Sequence, residues 1–155
     1  MTGDLIEYDE LYTVGPHSPR AAPRLIGGGK MHTVLIVDDY PAVRKTLRSL
    51  LEEKCSVTCV EAINGLDAIA KAEVARPDLI ILDLGMPEMD GFEAAMVLQK
   101  TMPQVPLFMI TSHDIDDVES KAASLGIRAV FSKYTDIKAL VAQASKLLNP
   151  SHASA

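Results

Sequence analysis

A chain of 155 residues, 48% hydrophobic and 23% charged, has the size and balance of one globular domain with a substantial core. Its formal net charge of -6 argues against a surface built for nucleic acid. No apolar run approaches the ~18 residues a membrane helix needs, Asp4, Glu7, Asp9 and Glu10 rule out a secretory signal, and Cys55 and Cys59 have no histidine at zinc-finger spacing.

Residues 1–31 show no sustained period. Leu5, Ile6, Leu11 and Val14 are scattered among acids, and Gly15-Pro16, Pro19, Pro23 and Gly27-Gly28-Gly29 interrupt any element, so a flexible N-terminal extension is expected. Gly27-Gly28-Gly29-Lys30 is not a phosphate loop, because Met31 stands where Ser or Thr is needed and no strand precedes the glycines. Met31 is a second candidate start of the protein. From Thr33 the pattern becomes regular. Thr33 to Val37 reads as a buried strand running into Asp38-Asp39, and Pro41 suits the first turn of a helix carrying Val43, Leu47, Leu50 and Leu51. Val57 to Val60 is a second strand, and Gly65 to Ala75 an alanine-rich helix with Leu66, Ile69 and Ala70 on one face.

Leu79-Ile80-Ile81-Leu82, opened by Pro77-Asp78 and closed by Gly85 and Pro87, has the unbroken apolar character of a strand covered on both faces. It delivers Asp83 at its carboxyl end. Gly91 to Lys100 follows as a helix with Phe92, Ala95, Val97 and Leu98 inward. Leu107 to Ile110 is a fourth strand ending in Thr111-Ser112, and Val118 to Leu125 a helix stopped by Gly126. Ala129 to Phe131 is a fifth strand ending in Ser132-Lys133. Thr135 is expected to cap a last helix with Ile137, Leu140, Val141, Ala144, Leu147 and Leu148, and residues 149–155 to form a tail. Five alternations of strand and helix predict a doubly wound α/β domain over residues 32–148, a five-stranded parallel sheet with helices on both faces.

In such a sheet ligands bind at the carboxyl ends of the strands. There this chain collects Asp38-Asp39, Asp83, Thr111 and Lys133. Two carboxylates 4 Å apart repel by roughly 1 kcal/mol in water and about 4 kcal/mol at an effective dielectric of 20. A bound hard cation relieves that repulsion, and all-oxygen ligation suits Mg²⁺. The plainer alternative is that these acids only cap loops and helices. Asp114, Asp116, Asp117 and Glu119 lack the glycine and the twelfth-position glutamate of a calcium loop and read as a solvated helix start.

Leu35-Ile36-Val37-Asp38-Asp39, Asp83-Leu84-Gly85-Met86-Pro87, Met89-Asp90-Gly91, Thr111-Ser112 and Lys133, in that order and spacing, resemble the receiver domain of two-component response regulators. The likeness covers about His32 to Leu148 and implies a flavodoxin-like fold. It implies that Asp83 accepts a phosphoryl group from a histidine kinase or phosphotransfer protein. Asp39, Asp83 and the Gly85 carbonyl would ligate Mg²⁺, and Asp38 would hold a metal-bound water. Thr111 would hydrogen-bond the phosphoryl group, Lys133 would pair with it, and His113 would flank the path of the hydrolytic water. Gly85 is expected to leave the backbone free to turn its carbonyl toward the metal, and the small Ser112 to leave the phosphoryl group's approach open. The sequence departs from the family at Val130, where an aromatic switch residue is common, and at Tyr134, where a proline usually follows the lysine. A trans Lys133–Tyr134 bond is expected, and Phe131 is expected on the opposite face from Val130.

The resemblance is to a single-domain, chemotaxis-regulator-like protein located in the cytoplasm. Only a short tail follows Leu148, so signalling is expected through a downstream protein partner, without direct DNA binding or membrane association. A homodimer through residues 116–148 would follow the family's habit. The chain is not expected to be an enzyme beyond gaining and losing its own phosphoryl group. Phosphatases with an aspartyl-phosphate intermediate carry a second acid two residues after the nucleophile, and here that residue is Gly85. A receiver-like module that binds a partner without taking phosphate is the remaining alternative.

Overall fold

The computed structural model describes residues 31–150. Among them β1 (His32–Val37), β2 (Val57–Ala62), β3 (Leu79–Asp83), β4 (Leu107–Thr111) and β5 (Ala129–Ser132) alternate with α1 (Pro41–Lys54), α2 (Gly65–Ala75), α3 (Gly91–Thr101), α4 (Ile115–Ser124) and α5 (Ile137–Leu148). The strands are all parallel, in the order β2-β1-β3-β4-β5. The extension and tail expected at the two ends, with the Gly27–Lys30 run, lie outside the described residues except for Met31, Asn149 and Pro150. Among the described residues no helix is long and apolar enough to cross a membrane.

The sheet is covered on both sides because its central strands β3 and β4 are apolar at every position before their last residues, Asp83 and Thr111. Leu79 and Ile81 of β3 join Val34, Ile36, Phe108 and Phe131 in a core closed by Leu47 and Leu51 of α1 and Leu140, Ala144 and Leu148 of α5. Ile80 and Leu82 face the other way, with Leu35, Val37 and Met109, under Ala68 and Ala72 of α2, Ala94 and Leu98 of α3, and Val118 and Ala122 of α4. This is the two-residue period of a pleated strand. It also separates Val130, packed against the second core, from Phe131 in the first, whose ring lies 5.3 Å from that of Phe108. No peptide bond among the described residues is cis, so Lys133–Tyr134 is trans as expected. Cys55 and Cys59 are free and buried; burial is the main reason the Cys59 thiol is pushed up to about 12, which keeps it protonated and unreactive.

Several local expectations are corrected. The face of α2 carrying Leu66 and Ala70 is outward, with Leu66 57% exposed, and the buried stripe is Gly65, Ala68 and Ala72. Phe92 and Val97 of α3 are half-buried; Ala94, Ala95 and Leu98 form the inner face, and the Lys121 ammonium lies 4.6 Å from the centre of the Phe92 ring. Strand β2 continues to Ala62 and α4 begins at Ile115, three residues before the apolar periodicity becomes visible. Thr135 does not cap α5. Asp136 occupies the cap position, and its carboxylate instead accepts the Ser132 amide at 2.9 Å, closing the loop after β5.

Candidate functional site

Strand register alone assembles the site. Val37 pairs with Leu82, so the next residues, Asp38 and Asp83, leave adjacent strands side by side. Asp83 pairs with Ile110 and Thr111 with Ser132, so Thr111 and then Lys133 come one step further along the same edge. The place where the chain crosses over β1 to reach β3 lies between β1 and β3, the crevice in which open parallel sheets bind ligands.

Asp83 is 1% exposed. Its Oδ1 accepts the Gly85 amide at 3.2 Å, and its Oδ2 lies 3.0 Å from Lys133 Nζ. Asp38 is fully buried; its Oδ1 accepts the Tyr40 amide at 2.8 Å and its Oδ2 lies 2.9 Å from the same ammonium. Lys133, with a side chain only 9% exposed, thus bridges two buried carboxylates. Asp39 is exposed at the mouth, and one oxygen each from Asp38, Asp39 and Asp83 lie within 4.8 Å of one another. Burial, aided by Asp39, holds Asp38 above its usual value, against the pull of the Tyr40 amide and Lys133. Burial and the Asp38 charge likewise raise Asp83 against Lys133. Burial draws Lys133 down, but the two carboxylates outweigh it and hold the ammonium above 10.5. Three carboxylates against one ammonium leave two negative charges uncompensated, and every free donor atom is a hard oxygen. That charge and donor set fit Mg²⁺.

Thr111 is buried. Its Oγ1 accepts the His113 amide at 2.9 Å, and its carbonyl accepts the Lys133 amide at 2.9 Å, so the loop after β4 and the lysine are fastened to one residue. Ser112 and His113 are exposed, as are Tyr40 and Tyr134; the Tyr40 ring centre is 5.8 Å from Lys133 Nζ. Asp114 caps α4 by accepting the Asp116 amide at 3.0 Å, so the acidic run does serve as a helix start.

Gly85 sits beside Asp83 as expected, but not for the expected reason. It has no left-handed backbone, and an added Cβ would meet nothing within 4 Å. The glycine the site requires is Gly91. A Cβ there would stand 2.4 Å from the Asp83 carbonyl oxygen and 2.7 Å from Leu84 Cα, and its amide donates to the Leu84 carbonyl at 2.8 Å. Asp90 and Glu93 form a reciprocal capping box that seats the end of α3 there. The Asp90-x-x-Glu93 spacing was the available signal. Arg44, which donates to the Asp38 carbonyl at 2.8 Å, had none.

Residues 34–145 match the response regulator receiver domain family. Curated relatives include response regulator protein VraR of Staphylococcus aureus, 39% identical over 106 residues, which are 68% of this chain and 51% of VraR. The chain therefore spans about half the length of the curated relatives it matches. Among solved structures, the Vibrio cholerae chemotaxis protein CheY4 is similar with a TM-score of 0.69 and 27% identity, over 76% of this chain and 98% of that one. A LuxR-family two-component response regulator from an Aurantimonas species is similar with a TM-score of 0.71 and 26% identity, over 77% and 86%.

Proposed function

The chain belongs to the response regulator receiver domain family, and from that premise we propose that Asp83 accepts a phosphoryl group from a histidine kinase or phosphotransfer protein. The observation that carries this reading is a carboxylate 1% exposed at the end of the central strand, 3.0 Å from an ammonium and beside two more carboxylates. Mg²⁺ would be held by Asp39, Asp83 and the Gly85 carbonyl, with Asp38 on a coordinated water. When bound it neutralises charge on the carboxylate and on the incoming phosphoryl oxygens. An Asp83 oxygen forms the new bond to phosphorus as the donor's phosphorus–nitrogen bond breaks, and the imidazole nitrogen keeps that electron pair. Lys133 moves from bridging carboxylates to pairing with the phosphoryl group, and the Thr111 hydroxyl donates to it.

Output follows from the same bonds. Thr111 holds the His113 amide, and Asp114 caps α4, so a Thr111 drawn toward phosphate draws the start of α4 with it. Val130 offers no ring to swing, which leaves this loop as the coupling element. The altered surface engages a protein partner in the cytoplasm, and residues 116–148 are the face for pairing with a second copy.

Intact mass after incubation with acetyl phosphate tests the proposal. Wild type gains one phosphoryl group only with Mg²⁺ present, and Asp83→Asn gains none. Lys133→Ala still takes up phosphate but loses more of its downstream response than of its uptake. Wild type left unmodified with Mg²⁺ and donor in excess would overturn the phosphoacceptor role in favour of a module that only binds a partner.

A further inference from the structure

Next to the acidic crevice, between α1 and β2, lies a chain of side chains that the proposed phosphoryl chemistry does not use. Arg44 of α1, its side chain 14% exposed, places Nη1 2.8 Å from the carbonyl oxygen of Asp38 and Nε 2.8 Å from Glu61 Oε1 at the end of β2. Glu61 Oε2 takes a second guanidinium, Arg48 Nη1, and Arg48 Nη2 donates to the Cys59 carbonyl at 2.8 Å. Burial pushes Glu61 upward, but the two guanidiniums overcome it and hold the carboxyl below its ordinary range.

The Asp38 carbonyl is the point where this chain meets the site. The β1–β2 pairing ends at Val37 and Ala62; the Asp38 amide still reaches the Ala62 carbonyl at 3.1 Å. The carbonyl of Asp38 belongs to the peptide that joins Asp38 to Asp39. Rotation of that peptide swings Asp39 relative to Asp38 and Asp83. Asp39 is exposed, so its direction is set through its backbone. A planar guanidinium gripped on two edges fixes a carbonyl better than a single point charge can.

We propose that Arg44, locked by Glu61 and Arg48, is a positioning residue for the Mg²⁺ site: it fixes the Asp38–Asp39 peptide and so holds the Asp39 carboxylate in reach of Asp38 and Asp83. This rests on the metal reading above and deepens it, since none of the three residues touches the metal or the phosphoryl group. Supporting groups of this kind set metal affinity by about ten- to a hundredfold in known sites.

The test is calorimetric titration of the full chain with MgCl₂ well below the melting temperature of each variant. Arg44→Ala weakens Mg²⁺ binding on the order of tenfold. Arg44→Lys recovers only part of the loss, because one ammonium cannot hold both the carbonyl and Glu61, and Glu61→Gln gives a smaller loss in the same direction. Leu148→Ala, which opens the core far from the crevice, lowers the melting temperature and leaves Mg²⁺ affinity unchanged. Wild-type affinity in Arg44→Ala, or an equal loss in Leu148→Ala, would overturn the positioning role. If Arg44→Ala does not fold, Arg44→Lys and Glu61→Gln decide: wild-type affinity in both sinks the proposal. If wild type itself takes up no Mg²⁺, the metal reading fails and the positioning role with it, an outcome distinct from an unchanged variant.

Discussion

Asp38 and Asp83 lie in an environment that resists their ionisation. Both titrate above 3.8, with burial the first cause in each. A carboxyl whose folded value is raised gives its full stabilisation below the unfolded pKa and loses it as pH rises through the folded value. The charged crevice is therefore a stability cost at neutral pH. Without Mg²⁺, Asp83→Asn should melt higher than wild type, by about 1 kcal/mol or roughly 2–4 °C. The gap should close on acidification to about pH 4, and Mg²⁺ should narrow it by favouring wild type. Circular dichroism melts across pH check this, and an Asp83→Asn protein no more stable than wild type at neutral pH contradicts it. Asp38, Asp83 and Thr111 were legible because each directly follows an apolar run: Val37 before Asp38, Leu82 before Asp83, Ile110 before Thr111. The Asp90-x-x-Glu93 spacing marked the turn at Gly91, but its close approach to the Asp83–Leu84 backbone was not legible, nor was the bond from Arg44 to the Asp38 carbonyl, because no side-chain pattern records a contact to backbone.

The link from β3 to α3 is the tightest element of the site. Gly91 lets the first turn of α3 lie against the Asp83–Leu84 backbone, and Gly91→Ala should cost about 1–3 kcal/mol by overpacking. It should also reduce phosphoryl uptake, since the carbonyl that must yield is that of Asp83 itself. Denaturant titration and intact mass read the two effects. Three residues earlier Glu88 holds φ at 69°, the left-handed region. Glu88→Gly relieves a strain of about 1 kcal/mol and adds freedom to the unfolded chain, for a net gain of roughly 0.5 kcal/mol in stability, read as a higher urea midpoint; a lower midpoint would show that the Glu88 side chain contributes more than its backbone costs. Helix types were readable from the sequence, whereas the start of α4 at Ile115 and the rotation of α2 were not. Ala68, Ala70 and Ala72 give no contrast between inside and outside. The narrow space over the sheet takes the small stripe of Gly65, Ala68 and Ala72, which turns the larger Leu66 to the surface. Thr135 likewise looked like a cap, and only the β5–α5 loop shows that Asp136 holds the position with its carboxylate engaged elsewhere.

At the scale of the whole molecule, the crevice unites the ends of four strands of one sheet, so a ligand there stabilises the entire domain. Mg²⁺ at about a hundredfold excess over its Kd should add about 2.7 kcal/mol. Melting with and without millimolar Mg²⁺ measures it, and an unchanged transition removes the metal site. The strand order has a consequence in time as well as in space. The acids arrive on β1 and β3, in the middle of the sheet, while the Lys133 ammonium that bridges them arrives just after β5, at its edge and last in sequence among the described strands. Parallel pairings between distant segments form slowly. A molecule caught midway through refolding, with β5 not yet seated, holds mutually repelling carboxylates and no counter-charge. Pulses of acetyl phosphate and Mg²⁺ during refolding should then label Asp83 more slowly before β5 docks than after, and equally fast early labelling would refute this. On a ribosome the same order would make an unfinished chain slow to receive a message before it can relay one.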